Sequence, residues 1–283
     1  MVRRISRLLQ PAIALGFATC LTLSPAAQAI PLGDIAASAS ITFDEGFAAG
    51  GIGGSGTQAG ALRLSNQADT TYSGAAAGVA NPLTGAFTNT GQGFGFNGIA
   101  SAGGAVAGTF GVFIDYGFHL FNASATNAYR ITLGLRYDNQ VASSGGDAFA
   151  HSEFVLRNGS TELFFTDLWS DVAFGNVVGG NPTGDFGGAL SDGGSRSFAF
   201  DLAAGDTLDL EGFWDLRGGT FDQGAAADSF FDVFFTIDDV VRLGQPPTPV
   251  PVPGTLALLL LGLAILSASI SRRGMAATTR RFA

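Results

Sequence analysis

The 283-residue sequence contains no lysine, one cysteine, two histidines and two tryptophans, and only 13% of its residues are charged. The lone thiol, Cys20, lies in an N-terminal stretch that reads as removable, which leaves the mature chain without a thiol nucleophile, a zinc thiolate or a disulfide. There is no H-E-x-x-H, no G-x-S-x-G and no phosphate-binding loop, and His119 and His151 are the only histidines. Catalysis is therefore not expected, and a core of this size is expected to hold by packing alone.

Basic charge is also scarce where a ligand would meet the protein. All fourteen basic residues are arginine, and seven stand near the termini, at positions 3, 4, 7, 272, 273, 280 and 281. The span between the end segments, residues 30–253, holds the other seven against 23 acids, a formal charge of −16. Such a field repels nucleic acid and anionic membrane surfaces, so neither is expected as a partner of this span.

The first 29 residues follow the order of an export signal: Arg3, Arg4 and Arg7, then an apolar run to Leu23, then Pro25 and the small-residue site Ala27-Gln28-Ala29. Signal peptidase is expected to cut after Ala29. At the other end, five prolines between 246 and 253 make an extended linker. They precede the uncharged run TLALLLLGLAILSASI at 255–270, roughly 24 Å long as a helix. Arg272 and Arg273 then give a cytoplasmic end by the positive-inside rule, so residues 255–271 read as one transmembrane helix in the inner membrane and 272–283 as a basic cytoplasmic tail.

The box Pro251-Val252-Pro253-Gly254, the Leu-rich span and Arg272-Arg273 together resemble a PEP-CTERM sorting signal, with Val252 where the glutamate of the name would stand. The resemblance covers about 30 C-terminal residues and implies a Gram-negative bacterium that makes extracellular polysaccharide. It also implies an exosortase that reads the tail, at residues 245–254 and beyond, and delivers the ectodomain to the cell surface. A plain single-pass anchor is the alternative reading.

Between the ends, residues 30–244, Gly (42 in the chain) and Phe (25) are abundant. Residues 46–61 and 74–108 are rich in Gly, Ala, Ser and Asn and read as loops or weak strands. Alternation then sets in at Phe110, Val112 and Ile114, at Ile131, Leu133 and Leu135, at Phe198, Phe200 and Leu202, at Leu208 and Leu210, and from Phe231 to Ile237. Asn158-Gly159 between two such runs predicts a two-residue hairpin. The expected fold is all-β, an antiparallel sandwich or jelly roll.

Candidate ligand groups follow from residue type. Asp44 and Glu45 at the end of the first strand and Asp238 and Asp239 at the end of the last could offer hard oxygen ligands to calcium, if those two strands pair. No other cofactor is expected. Trp169 and Trp214, with Tyr116, Tyr129 and Tyr137, could offer flat faces to sugar rings, while Asp209 and Glu211 share one strand face as a glycosidase pair would. Three functions follow: a non-catalytic structural or adhesive surface protein, a carbohydrate-binding module in contact with extracellular polysaccharide, and, as a third, a glycan-cleaving enzyme. Mass spectrometry of the protein from its producing cells is expected to find an N-terminus at Ile30 and a C-terminus within 251–254; an intact tail would identify a permanent anchor instead.

Overall fold

The structure, a computed structural model, describes residues 30–44, 54–64, 70–73, 81–104 and 107–244. The expected export signal (with Ala27 and Ala29), Glu45, and the linker, sorting box, apolar span and basic tail of 245–283 lie outside the described residues. Fourteen strands run in order: β1 (Ile35–Thr42), β2 (Gly54–Arg63), β3 (Thr70–Ser73), β4 (Leu83–Phe87), β5 (Gly93–Gly103), β6 (Gly108–Asn122) and β7 (Tyr129–Ser144). They continue with β8 (Ala148–Asn158), β9 (Thr161–Asp171), β10 (Val177–Val178), β11 (Asn181–Pro182), β12 (Gly188–Leu202), β13 (Thr207–Thr220) and β14 (Ala226–Arg242). Among the described residues there is no helix.

The strands form two antiparallel sheets, ordered β11-β10-β9-β8-β13-β6-β1-β4 and β12-β7-β14-β5-β2-β3. From β5 onward the chain crosses between sheets at every connection except those joining β8 through β11, so that β13 inserts between β8 and β6 while β14 inserts between β7 and β5. This is a β-sandwich, as the alternation predicts. In β6 the apolar phase runs unbroken from Phe110 to Leu120, all buried, with the opposite phase exposed or partly exposed. Period-2 alternation sends one phase into the space between the sheets and the other to solvent.

The core is a layer of rings. Trp214, fully buried, stacks on Phe231 at 5.2 Å, Phe94 on Phe235 at 4.9 Å, and Tyr116 on Phe154 at 5.4 Å. The polar tips are satisfied: the Trp214 indole N–H donates to Ser152 Oγ (3.0 Å) and the Tyr116 hydroxyl to the Val155 carbonyl (2.7 Å). Burial pushes the Tyr116 phenol well above its ordinary value. Toward the β7–β9 side the sheets are also joined by polar bonds, Asn139 Nδ2 to the Ser152 carbonyl (3.3 Å) and Ser143 Oγ to Ser170 Oγ (2.9 Å).

Two sequence expectations shift. Residues 74–108 are not simply loop, since β4 and β5 lie within them, and β5 sits between β14 and β2 with Phe94 and Phe96 in the core. The small residues there make room for rings: a Cβ added at Gly98 would lie 2.1 Å from Trp214 Cη2. The hairpin between β8 and β9 forms, but its turn is Gly159-Ser160, with Asn158 paired to Thr161 and Gly159 at φ +55°. A bulge passes from Leu156↔Phe164 to Arg157↔Glu162 and absorbs Leu163, so that a two-residue turn closes the hairpin where the unbulged register would leave a loop over 159–161.

Gly98→Ala is expected to lower stability by about 1–3 kcal/mol through overpacking against Trp214. Gly111→Ala, where the nearest atom to an added Cβ is 3.9 Å away, should stay within about 0.5 kcal/mol of the parent. Urea unfolding of both variants checks this, and equal effects would contradict it.

Candidate functional site

The outward phase of the eight-stranded sheet carries the densest cluster of chemically useful side chains. On β8 it comprises Phe149, His151, Glu153 and Val155, because their neighbours Ala150, Ser152 and Phe154 point inward. Register then fixes two rows across three strands. Asp215 of β13 stands opposite Glu153, which stands opposite Asp167 of β9; one step along, Arg217 faces His151, which faces Trp169.

Three carboxylates side by side repel one another, and an arginine and a histidine stand against two of them. Asp215, almost buried, receives Nε of Arg217 at 2.9 Å and a second bond from its Nη2. His151 Nε2 and Asp167 Oδ1 lie 2.9 Å apart with both side chains largely buried. A carboxylate only accepts, so Nε2 carries the proton of that bond, and the buried Nδ1 has no hydrogen-bond partner among the described residues. Glu153 stands between these pairs. Burial raises its carboxyl above the ordinary value, Asp167 and Asp215 add to the rise, and His151 and Arg217 oppose it.

Beside the acids runs an aromatic strip. Phe221 stacks on Phe149 (6.2 Å, 14°), Phe149 on Trp169 (5.7 Å, 24°), and Trp169 leans on His151 (4.8 Å). Phe221 is 52% and Trp169 37% exposed. Trp169 Nε1 donates to Asp171 (3.2 Å), whose other oxygen accepts the N–H groups of Ala173 and Phe174. The indole is thereby tied to the start of the 172–187 excursion. Phe113, 42% exposed and stacked on Phe213 at 5.4 Å, continues the apolar surface on the far side of the acid row.

The residues singled out from sequence fare differently. Trp169 is on this surface. Trp214 is not: it is the centre of the core, and no ligand ring reaches it. Tyr116 and Tyr137 are buried, and Tyr129 donates to Asp34 (2.8 Å) away from the strip. Asp209 is bonded to His119 (2.6 Å), and both line a shallow depression of about 760 Å³ with Glu211, Ser38 and Ser40.

The first and last strands, whose pairing would bring the two acidic sets of the calcium expectation together, are not neighbours in either sheet. β1 pairs with β4 and β6, whereas β14 pairs with β5 and β7. Asp44 accepts from the Phe113 N–H, while Asp238 accepts from Thr236 Oγ1. Asp238 and Asp239 also do not end the strand; they lie at a bulge within β14, which runs on to Arg242. Among the described residues, no three His, Cys, Asp or Glu side chains gather so as to hold a metal ion.

Sequence reasoning does not single out Glu153, Asp167, Asp215, Arg217, Phe149 or Phe221. A signal was present: on β8, β9 and β13 the phase opposite the core residues is aromatic and charged instead of small and polar.

No family model matches the chain, and no curated protein matches it. Among solved structures, the VP2 subviral particle of infectious bursal disease virus aligns at 12% identity over 81% of this chain and 71% of that one, with a TM-score of 0.15. A carbohydrate-binding module described for specific mannan recognition aligns at 12% identity over 45% and 72%, also with a TM-score of 0.15. Likeness at this level carries no argument about function.

A raised carboxyl means that the folded state binds the proton more readily than the unfolded chain. Glu153 therefore detracts from stability as pH rises from the unfolded carboxylate range through its raised folded value, and costs nothing below that range. Glu153→Gln is expected to raise the thermal midpoint at pH 7 and to lose that gain in acid. A lower midpoint at pH 7 would contradict this.

Proposed function

We propose that this chain is an exported surface or extracellular-matrix protein whose sandwich is a non-catalytic adhesive module. In this reading a signal peptide starts export and an exosortase recognises the 251–254 box with its apolar span and arginines. Composition at the two ends supports the address, and the site supports the adhesive role.

The observation that carries the adhesive reading is the strip Phe221-Phe149-Trp169 lying open beside the row Asp215-Glu153-Asp167. Rings with apolar faces suit the C–H face of a sugar, and carboxylates accept from its hydroxyls. All of these groups except Phe221, which follows the end of β13 by one residue, stand on paired strands, so they are positioned before a ligand arrives. Asp215 and Asp167 are already engaged by Arg217 and His151, which suits holding a ligand more than moving protons. The acid row also sets a preference: a neutral polysaccharide is accepted, and a polyuronate is repelled.

Affinity electrophoresis of the full-length chain, in gels containing a neutral glucan or polygalacturonate, tests this. Retardation is expected in the neutral gel alone, and Trp169→Ala should weaken it about tenfold, the loss of one anchoring ring. Equal mobility in every gel, or a Trp169→Ala variant retarded as strongly as the parent, would overturn the reading.

A further inference from the structure

A sheet edge exposes N–H and C=O groups that pair with another strand unless something prevents it. Three of the four edges here expose little. The eight-stranded sheet ends in β4, five residues long, and in β11, two residues long with Pro182. The six-stranded sheet ends on one side in β3, four residues long. Its other edge is β12, with fifteen residues.

β12 pairs with β7 along its whole length, Gly188 with Ser143 through Leu202 with Tyr129, without a bulge. Among the described residues its outer side has no strand partner. Apart from the Gly188 carbonyl, which accepts from Ser170 Oγ, and the Ser195 carbonyl, which accepts from Arg196, alternate backbone groups along the strand are left without a strand to pair with among the described residues. The strand is long, unbulged and without proline, so two of the usual protections are missing. Of its three charged residues, Asp201 is paired with Arg130 (2.7 Å) and Asp192 accepts from Tyr137 and Thr166. Arg196 is exposed, bonds to the neighbouring Ser195 carbonyl (3.2 Å), lies 5.8 Å over the Phe164 ring, and meets no carboxylate among the described residues.

We propose that β12 is a self-association edge, at which two copies of this chain pair antiparallel about a twofold axis through Gly194. The strand reads Ala-Leu-Ser-Asp-Gly-Gly-Ser-Arg-Ser-Phe-Ala from 189 to 199 and is complementary to its own reverse. With Gly194 opposite Gly194, Asp192 of each copy stands opposite Arg196 of the other, Ser191 opposite Ser197, Leu190 opposite Phe198, and Ala189 opposite Ala199.

Burial agrees with this register. Leu190, Asp192 and Phe198 are half-buried and lie on the phase of β12 that faces the other sheet, whereas Ser191, Ser197 and Ala199 are exposed. Opposed residues in an antiparallel pair share a face, so Leu190 and Phe198 would complete each other's burial at both ends of the joint. A slip of one residue puts inner side chains opposite outer ones. Slipping by two in either direction separates Asp192 from Arg196, setting it against Phe198 or Gly194. Only one register satisfies face and charge together.

An isologous joint of this kind closes on itself and yields a dimer, not a fibre. It leaves the outer face of the eight-stranded sheet uncovered in both copies, although the proposal does not rest on what that face binds.

Sedimentation of the full-length protein in mild detergent is expected to show a dimer, and Arg196→Asp, an exposed change that sets Asp against Asp, is expected to give a monomer. Cysteine placement tests the register in a Cys20→Ser background: Ser191→Cys chains mixed with Ser197→Cys chains should form a disulfide-linked dimer, and neither alone should. A monomer at all concentrations would overturn the proposal. So would a dimer indifferent to Arg196→Asp, which places the interface elsewhere, or equal cross-linking in mixed and unmixed samples.

Discussion

The indole of Trp214 lying over Gly98 is the contact on which the rest of the sandwich depends. Trp214 belongs to β13 in one sheet and Gly98 to β5 in the other, and the ring occupies the space where a side chain at 98 would stand. Each large side chain taken from water contributes roughly 1.5–3 kcal/mol. A layer of rings that reaches the opposite backbone leaves no room for side chains there. High phenylalanine and high glycine are thus two sides of one packing solution, in a chain with no disulfide in its described residues and few charges to spend on ion pairs.

Strand alternation ties that core to the surface. Because Trp214 and Leu216 point inward, Phe213, Asp215 and Arg217 must point outward, and register with β8 and β9 brings Glu153, His151, Asp167 and Trp169 beside them. The acid row is tolerated because Arg217 and His151 stand next to it, and the raised Glu153 carboxyl records the cost that is left. Stability alone would not select such a row.

Much of the fold was legible in the sequence. The runs in β6, β7, β13 and β14 have the period of half-buried strands, and a two-sheet architecture follows from them. The hairpin was legible to within one residue: Asn158, a favoured first turn residue, is instead the last paired residue of β8, opposite Thr161. β5 was hidden because glycine has low strand propensity; what holds it is the packing of distant rings, and that is invisible locally. Trp214 could have been placed, since it shares its parity with Leu208, Leu210 and Leu216, and parity decides between core and surface. The acid row was beyond reach, because its members come from three strands whose neighbour relations are set by the insertion of β13 between β6 and β8.

Amide hydrogen exchange of the full-length chain addresses the ring-and-glycine core most directly. If Trp214 and its neighbours lock the sheets together, the slowest amides lie in β5, β6, β13 and β14, with Gly95 to Gly98 as protected as Ile114. Exchange of β5 at loop rates, while β6 and β13 stay protected, would contradict that picture and return the glycine-rich tract to loop.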